Sequence, residues 1–164
     1  MDTSVKLGEL TLRNPVIPAS GTFGFGHEMA KWYDLNRLGA VALKGTTREA
    51  RFGNPTPRVA ECEAGLLNAV GLQNPGVDAV VREELPKLRA VYSGPVIANV
   101  CGFSAEEYVE VARRFDEVGA DILEINVSCP NVRHGGLAFG ASSEAAAAIT
   151  AAVKAAVKKP VYMK

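Results

Sequence analysis

The sequence is poor in the features that mark several large functional classes. It holds only three cysteines, Cys62, Cys101 and Cys129, far apart and without CxxC spacing. That spacing excludes a disulfide framework and a structural zinc site, and no metal centre is expected. Charge of one sign is also missing: 18 Lys and Arg balance 18 Asp and Glu, with no block of like charge. Nothing therefore marks a polyanion-binding surface, and no nucleic-acid partner is expected. No apolar run approaches the roughly 20 residues of a membrane span. The first residues, Met1-Asp2-Thr3-Ser4-Val5-Lys6, lack the apolar core of a signal peptide. A cytoplasmic protein with reduced thiols and no membrane contact is the expectation.

What is present is core-forming material. Of 164 residues 48% are hydrophobic, enough for one domain and too little for two large ones. Residues 5–12 alternate apolar and polar about Gly8-Glu9, which predicts a hairpin at one end of the fold. Short apolar runs at 15–18, 40–43, 95–98, 121–125 and 160–163 read as strands. The first is followed by Ser20-Gly21-Thr22-Phe23-Gly24-Phe25-Gly26, whose glycines let backbone approach a flat ligand. Phe23 and Phe25 are expected to pack between strand and helix. Residues 27–38, 77–92 (with a break at Pro86), 104–119 and 142–158 read as helices. The third begins with the capping box Ser104-Ala105-Glu106-Glu107, and the last is rich in alanine and ends in lysines. Residues 48–76, rich in Gly, Pro and Asn, read as a long loop of the kind that carries function.

Alternation of strand and helix predicts a parallel α/β sheet. An open dinucleotide-binding sheet is disfavoured, because Gly21 to Gly26 do not have GxGxxG spacing. Each run instead ends in a polar residue, namely Ser20, Lys44, Asn99, Asn126 and Lys164, which places five functional groups on one rim. That is the catalytic face of a (β/α)8 barrel. A complete barrel takes about 250 residues, so the expectation is a single partial barrel over 1–164, truncated after about five β/α units. Residues 1–13 would be its N-terminal β-hairpin and 14–164 its strands 1 to 5. A half-barrel that dimerises is the alternative.

The sharpest chemical signal is Glu124-Ile125-Asn126-Val127-Ser128-Cys129-Pro130-Asn131, an apolar strand ending in an amide, a hydroxyl and a thiol. Two lysines, amides and a thiol over a glycine-lined floor suit a flat, hydrogen-bonding, anionic ligand such as a flavin beside a carboxylate. Five motifs carry a family resemblance. They are Asn14-Pro15-Val16-Ile17-Pro18-Ala19-Ser20-Gly21-Thr22-Phe23-Gly24, Lys44-Gly45-Thr46-Thr47, Gly53-Asn54-Pro55-Thr56-Pro57-Arg58, Asn68-Ala69-Val70-Gly71-Leu72-Gln73-Asn74-Pro75-Gly76, and Asn126 to Gly136. In this order they resemble class 1 dihydroorotate dehydrogenase, type B.

The resemblance implies an FMN-dependent barrel that oxidises dihydroorotate to orotate in pyrimidine (UMP) synthesis. Electrons would pass to NAD through a subunit carrying FAD and an iron–sulfur cluster, and the complete form would be a heterotetramer around a homodimer. It implies that Cys129 is the general base for C5 while hydride leaves C6 for N5 of FMN. It further implies that Ser20, Lys44, Gly45, Asn99, Asn126 and Lys164 contact FMN. Lys44, Asn68, Ala69, Val70, Gly71, Leu72, Asn126 and Asn131 would hold the substrate. The family's FMN phosphate site and a further amide and hydroxyl pair for orotate lie beyond strand five. Cys62 and Cys101 are read as small buried hydrophobes, and His134 as an incidental loop histidine. A dihydropyrimidine dehydrogenase-like flavoenzyme shares the barrel and base cysteine, and a non-catalytic half-barrel is the reading from another class.

Overall fold

Apolar residues at every second position of four short strands divide between two cores, and this alternation decides the architecture. The computed structural model describes residues 1–128 and 137–164. Strands β1 (Val5–Leu7) and β2 (Leu10–Leu12) pair antiparallel as the expected hairpin. Next come β3 (Val41–Ala42), the antiparallel pair β4 (Val59–Cys62) and β5 (Gly65–Asn68), then β6 (Val96–Val100), β7 (Ile122–Ile125) and β8 (Val161–Met163). A four-stranded sheet runs in the order β3-β6-β7-β8, every pair parallel. The helices are α1 (Ser20–Phe23), α2 (Val77–Ala79), α3 (Leu85–Arg89), α4 (Ala105–Asp116), α5 (Leu137–Gly140) and α6 (Ser143–Ala156). This is an α/β arc of the (β/α)8 type, strands neighbouring in sequence order with helices between them.

One sheet face, with Val41, Val96, Ala98, Val100, Leu123 and Ile125, is covered by the helices through Leu88, Tyr108, Val111, Phe115, Ile149 and Val153. Phe23 and Phe25 join this core. The opposite face buries Ala40, Ala42, Ile97 and Ile122 against Leu12, with Val5, Leu7, Leu10 and Tyr162 around them. The first hairpin therefore plugs one end of the inner face. Gly8, at φ +58, lets the hairpin turn approach the Tyr162 hydroxyl, which a Cβ would meet at 2.6 Å. The polar residues two positions further along each strand are left to line the other end.

Several local expectations are corrected. Residues 15–18 are not a strand: Pro15 and Pro18 have no N–H to donate, Val16 accepts a single bond from Gly39 N at 3.0 Å, and Val16 and Ile17 are exposed. Ser20 accordingly opens α1 rather than ending a strand. Residues 27–38 form two 3₁₀ turns, His27–Lys31 and Leu35–Arg37, because the Asp34 carboxylate accepts from Asn36 N and closes a turn of its own. Asn99 lies inside β6, not after it. Cys101 is buried as expected, but Cys62 sits on an exposed hairpin. The helix after Gly76 bends through a π turn, Val80–Glu84, in which Leu85 N–H reaches back to Val80 O. The wider turn makes room for the ring of Pro86, which lacks a donor. The Ser104 cap forms as read, its hydroxyl accepting from Glu107 N at 3.3 Å.

The turn that follows the glycine loop is pinned to the α2–α3 segment electrostatically. His27 Nε2 lies 2.7 Å from Glu84 Oε2, and Lys87 Nζ 2.6 Å from Glu84 Oε1. With Glu28 these side chains bring three metal-compatible donor atoms within 4.8 Å of one another, but Lys87 already serves as the cation on Glu84. Burial pushes the Glu84 carboxyl up, yet the hydrogen bonds from Lys87 and His27 outweigh it and hold its pKa below the ordinary 4.5. A carboxylate with a depressed folded pKa contributes stability that is present above its unfolded pKa and lost as pH falls through the folded one. Urea unfolding should thus show stability declining below pH 4.5, with Glu84→Gln removing part of that slope. Equal acid slopes for the two proteins would contradict the pairing.

Candidate active site

Period-two alternation carries the inner face from apolar to polar on each of four strands. Ala42 is followed by Lys44, Ile97 by Asn99, Ile122 by Glu124 and Asn126, and Tyr162 by Lys164. Pairing continues past the named strands: Leu43 N bonds Ile97 O at 2.9 Å, Thr46 N bonds Asn99 O at 2.9 Å, and Val127 N bonds Lys164 O at 3.1 Å. These bonds hold the polar tips in two successive rows, Asn99 and Glu124 in one and Asn126 and Lys164 in the next. Lys44 is fixed further by its N–H to Gly24 O at 2.8 Å, which draws the glycine loop over the strand end.

The amides among these tips are wired together. Asn99 is fully buried; its Nδ2 donates to Glu124 Oε1, and its Oδ1 accepts from Asn126 Nδ2 at 3.0 Å. Asn126 Oδ1 accepts from Ser128 N at 3.1 Å and from Ser128 Oγ at 3.0 Å. The Tyr108 hydroxyl, reaching through the helical core, donates to Asn126 O at 2.7 Å. Gly45 is buried against this cluster: a Cβ there would lie 2.9 Å from Asn99 Oδ1, 2.9 Å from Cys101 Sγ and 3.0 Å from Leu72 Cδ1.

A second wall comes from residues 68–74, held by an unusually dense backbone clamp. Asn74 is buried; its Oδ1 accepts from Thr47 N at 3.1 Å and Gly76 N at 3.0 Å, and its Nδ2 donates to Leu72 O at 2.9 Å. Its backbone exchanges two bonds with Arg51, of 2.7 and 3.0 Å. Asn54 grips the same loop from the other side, its Nδ2 donating to Ala69 O at 2.8 Å and its N to Val70 O at 3.0 Å. Gly71 (φ +78) and Leu72 (φ +59) are both left-handed. For leucine that conformation is strained, and the surrounding bonds are what keep it there.

Between the two walls lies a cleft of about 500 Å³, lined by Ser20, Gly21, Thr22, Lys44, Gly45, Val59, Leu66, Asn68, Val70, Gly71, Leu72, Asn126, Ser128 and Lys164. It brings together most of the residues singled out from the sequence. Asn99 lies beneath it and reaches it through Asn126, while Ala69 is turned into the Asn54 clamp. Cys129 and Asn131 lie outside the described residues. Among the described residues Lys44 and Lys164 are in no ion pair, so the cleft offers two ammonium groups together with amide donors. Such a lining selects an acceptor-rich, anionic ligand.

Sequence reasoning missed Glu124, Asn74, Asn54 and Tyr108. Glu124 had a legible signal, since a carboxylate inside Ile122-Leu123-Glu124-Ile125 must find a donor if it faces inward. Asn74 had a weaker one, as an amide directly before Pro75-Gly76. The pairing of Asn54 with residues 69–70 has no sequence signal at all, because it depends on how two loops fold over each other.

Comparison with known proteins identifies the family. The family model described as Dihydroorotate dehydrogenase matches residues 3–164. A protein of Anoxybacillus flavithermus named "Dihydroorotate dehydrogenase B (NAD(+)), catalytic subunit" is 60% identical over 162 residues, which are 98% of this chain and 52% of that protein. Proteins of the same name from Geobacillus sp. and Enterococcus faecalis are 56% and 52% identical, again over 98% of this chain and 51% and 52% of their own lengths. The chain spans about half the length of the curated relatives it matches. With a family match across nearly all its residues and such identities, the chain belongs to the dihydroorotate dehydrogenase family.

Proposed function

We propose that this chain carries the floor and two walls of a site that oxidises dihydroorotate to orotate, with FMN as hydride acceptor, in pyrimidine synthesis. The observation that carries the reading is the cleft itself. Residues from five separate stretches of sequence, expected to hold flavin and substrate, line one space between the inner sheet face and the 68–74 loop. The donor set fits both ligands: two ammonium groups and the Asn126 amide would suit the carbonyl oxygens of a flavin ring and the carboxylate of the substrate.

Bound FMN would supply the acceptor for a hydride; the chain's own residues do the rest. Ser20, Lys44, Gly45, Asn126 and Lys164 would hold the flavin, with Asn99 acting from below. Lys44, a three-donor point charge, could serve both the flavin and the substrate carboxylate. Asn68 through Leu72, with Asn126 and Asn131, form the substrate's hydrogen-bonding edge. Val59, Leu66, Val70 and Leu72 add apolar surface to the lining, where a bound ligand that displaces water would strengthen each charge contact. Cys129, directly after the tethered Ser128, takes the proton from C5. A C–H beside a carbonyl is a weak acid, so the base must be aligned and partly thiolate. Its assignment rests on the sequence motif.

The relatives' name, catalytic subunit, describes chains that work in an assembly. By resemblance that assembly would be a heterotetramer around a homodimer. It would include an FAD and iron–sulfur subunit that passes electrons to NAD.

In a chain completed with the remaining half of a relative, dihydroorotate should reduce bound FMN under anaerobic conditions and dihydrouracil should not. Reduction by dihydrouracil alone would favour a dihydropyrimidine dehydrogenase-like enzyme instead. Cys129→Ala should keep FMN bound while slowing reduction by about 10²–10⁴-fold; an unchanged rate would remove Cys129 from the base role. Gly45→Ala should destabilise the fold by about 1–3 kcal/mol, since Asn99, Cys101 or Leu72 must move, and should weaken flavin binding. A variant of wild-type stability and affinity would show that Gly45 is not the tight contact described.

A further inference from the structure

The hydrogen bonds beneath the cleft run in one direction, and Glu124 sits at their accepting end. An ionised carboxylate can only accept, so the Asn99 amide must turn its NH₂ toward Glu124 and its oxygen away. That oxygen accepts from Asn126 Nδ2 at 3.0 Å, which turns the Asn126 oxygen toward Ser128. There it accepts from a backbone N–H at 3.1 Å, a group that can only donate. An amide can be flipped without changing its shape; here neither can flip without setting donor against donor or acceptor against acceptor. Register makes this possible, since Asn99 and Glu124 are direct cross-strand partners on β6 and β7. The second hydrogen of Asn126 Nδ2 has no partner among the described residues, and Asn126 lines the cleft.

We infer that Glu124 is a positioning residue: with Ser128 N–H holding the other end of the relay, it keeps the Asn99 and Asn126 amides in place so that Asn126 presents N–H, not C=O, to a carbonyl-rich ligand. The inference rests on the proposed flavin and dihydroorotate site and deepens it by assigning what keeps the Asn126 amide in the donor state that site requires. Together with Lys44 and Lys164 the cleft then offers donors from three sides. Because Ser128 N anchors the far end, a glutamine at 124 can still accept through its carbonyl, and the direction survives. An apolar side chain there leaves the Asn99 NH₂ buried without an acceptor, which costs the full desolvation of that group.

The test is side-chain amide exchange of Asn99 and Asn126 by ¹H–¹⁵N spectroscopy on the 164-residue chain, in wild type, Glu124→Gln, Glu124→Met and Asp121→Ala. Asp121 is the control, because it accepts from Arg89 and from Val96 N near the opposite end of β7. Both amides should be protected in wild type and in Glu124→Gln. In Glu124→Met they should exchange at least about tenfold faster. In Asp121→Ala they should remain protected even where thermal stability falls as far as in Glu124→Met. Unchanged exchange in Glu124→Met, or equal acceleration in Asp121→Ala, overturns the role of Glu124. Titration with FMN on the same samples separates the two levels of the argument. A roughly tenfold weaker response in Glu124→Met but not in Glu124→Gln supports the positioning role. Intact, Glu124-dependent amide protection with no response to FMN in any protein sinks the flavin site and, with it, the ligand-facing part of the inference.

Discussion

The parallel pairing of β6 with β7, and of β7 with β8, is the constraint on which the rest depends. Asn99, Glu124 and Tyr162 share one row, so side chains two residues further along each strand share the next. A slip of one residue would turn Asn99 and Asn126 into the helical core and put Val100 and Val127 in the cleft. Burial prevents it: Ile97 and Ile122 must meet the first hairpin, while Val96, Ala98, Leu123 and Ile125 must meet the helices. The apolar parity of each strand thus aims its polar end.

This explains how much of the site could be read from residues alone. Lys44, Asn126 and Lys164 each follow a short, largely apolar run, and their position at its end singled out all three without any knowledge of tertiary structure. The capping box at Ser104 was legible for the same reason, being a local pattern with a local cause. Failures came where two local signals competed. At 15–18 apolar character suggested a strand, but paired prolines withheld the donors. At 27–38 helical composition lost to the Asp34 turn. The wall at 68–74 could be located as an amide- and glycine-rich loop, but its clamp joins Asn74 to Thr47 and Asn54 to Ala69 across long sequence separations. Contacts of that kind leave no periodic trace.

The two walls differ in how they are stabilised. The sheet side rests on buried apolar packing beneath a short polar relay, which gives a rigid floor. The loop side rests on hydrogen bonds, with Leu72 held at positive φ against its preference. Strain of that sort persists only where neighbours over-determine it. A floor of fixed donors facing a strained apolar edge favours a flat ligand with acceptors on one side, in keeping with the chemistry proposed.

The central claim is that this cleft, rather than any other surface, receives the flavin. The direct measurement is a ¹H–¹⁵N titration of the chain with FMN, which reports location even when affinity is weak. The account predicts saturable shifts at Ser20, Gly45, Gly71, Asn126 and Lys164, and none along the helical groove formed by Glu106, Glu110, Arg113 and Ala152. Shifts confined to that groove, or no saturable shift at the cleft residues, would contradict it.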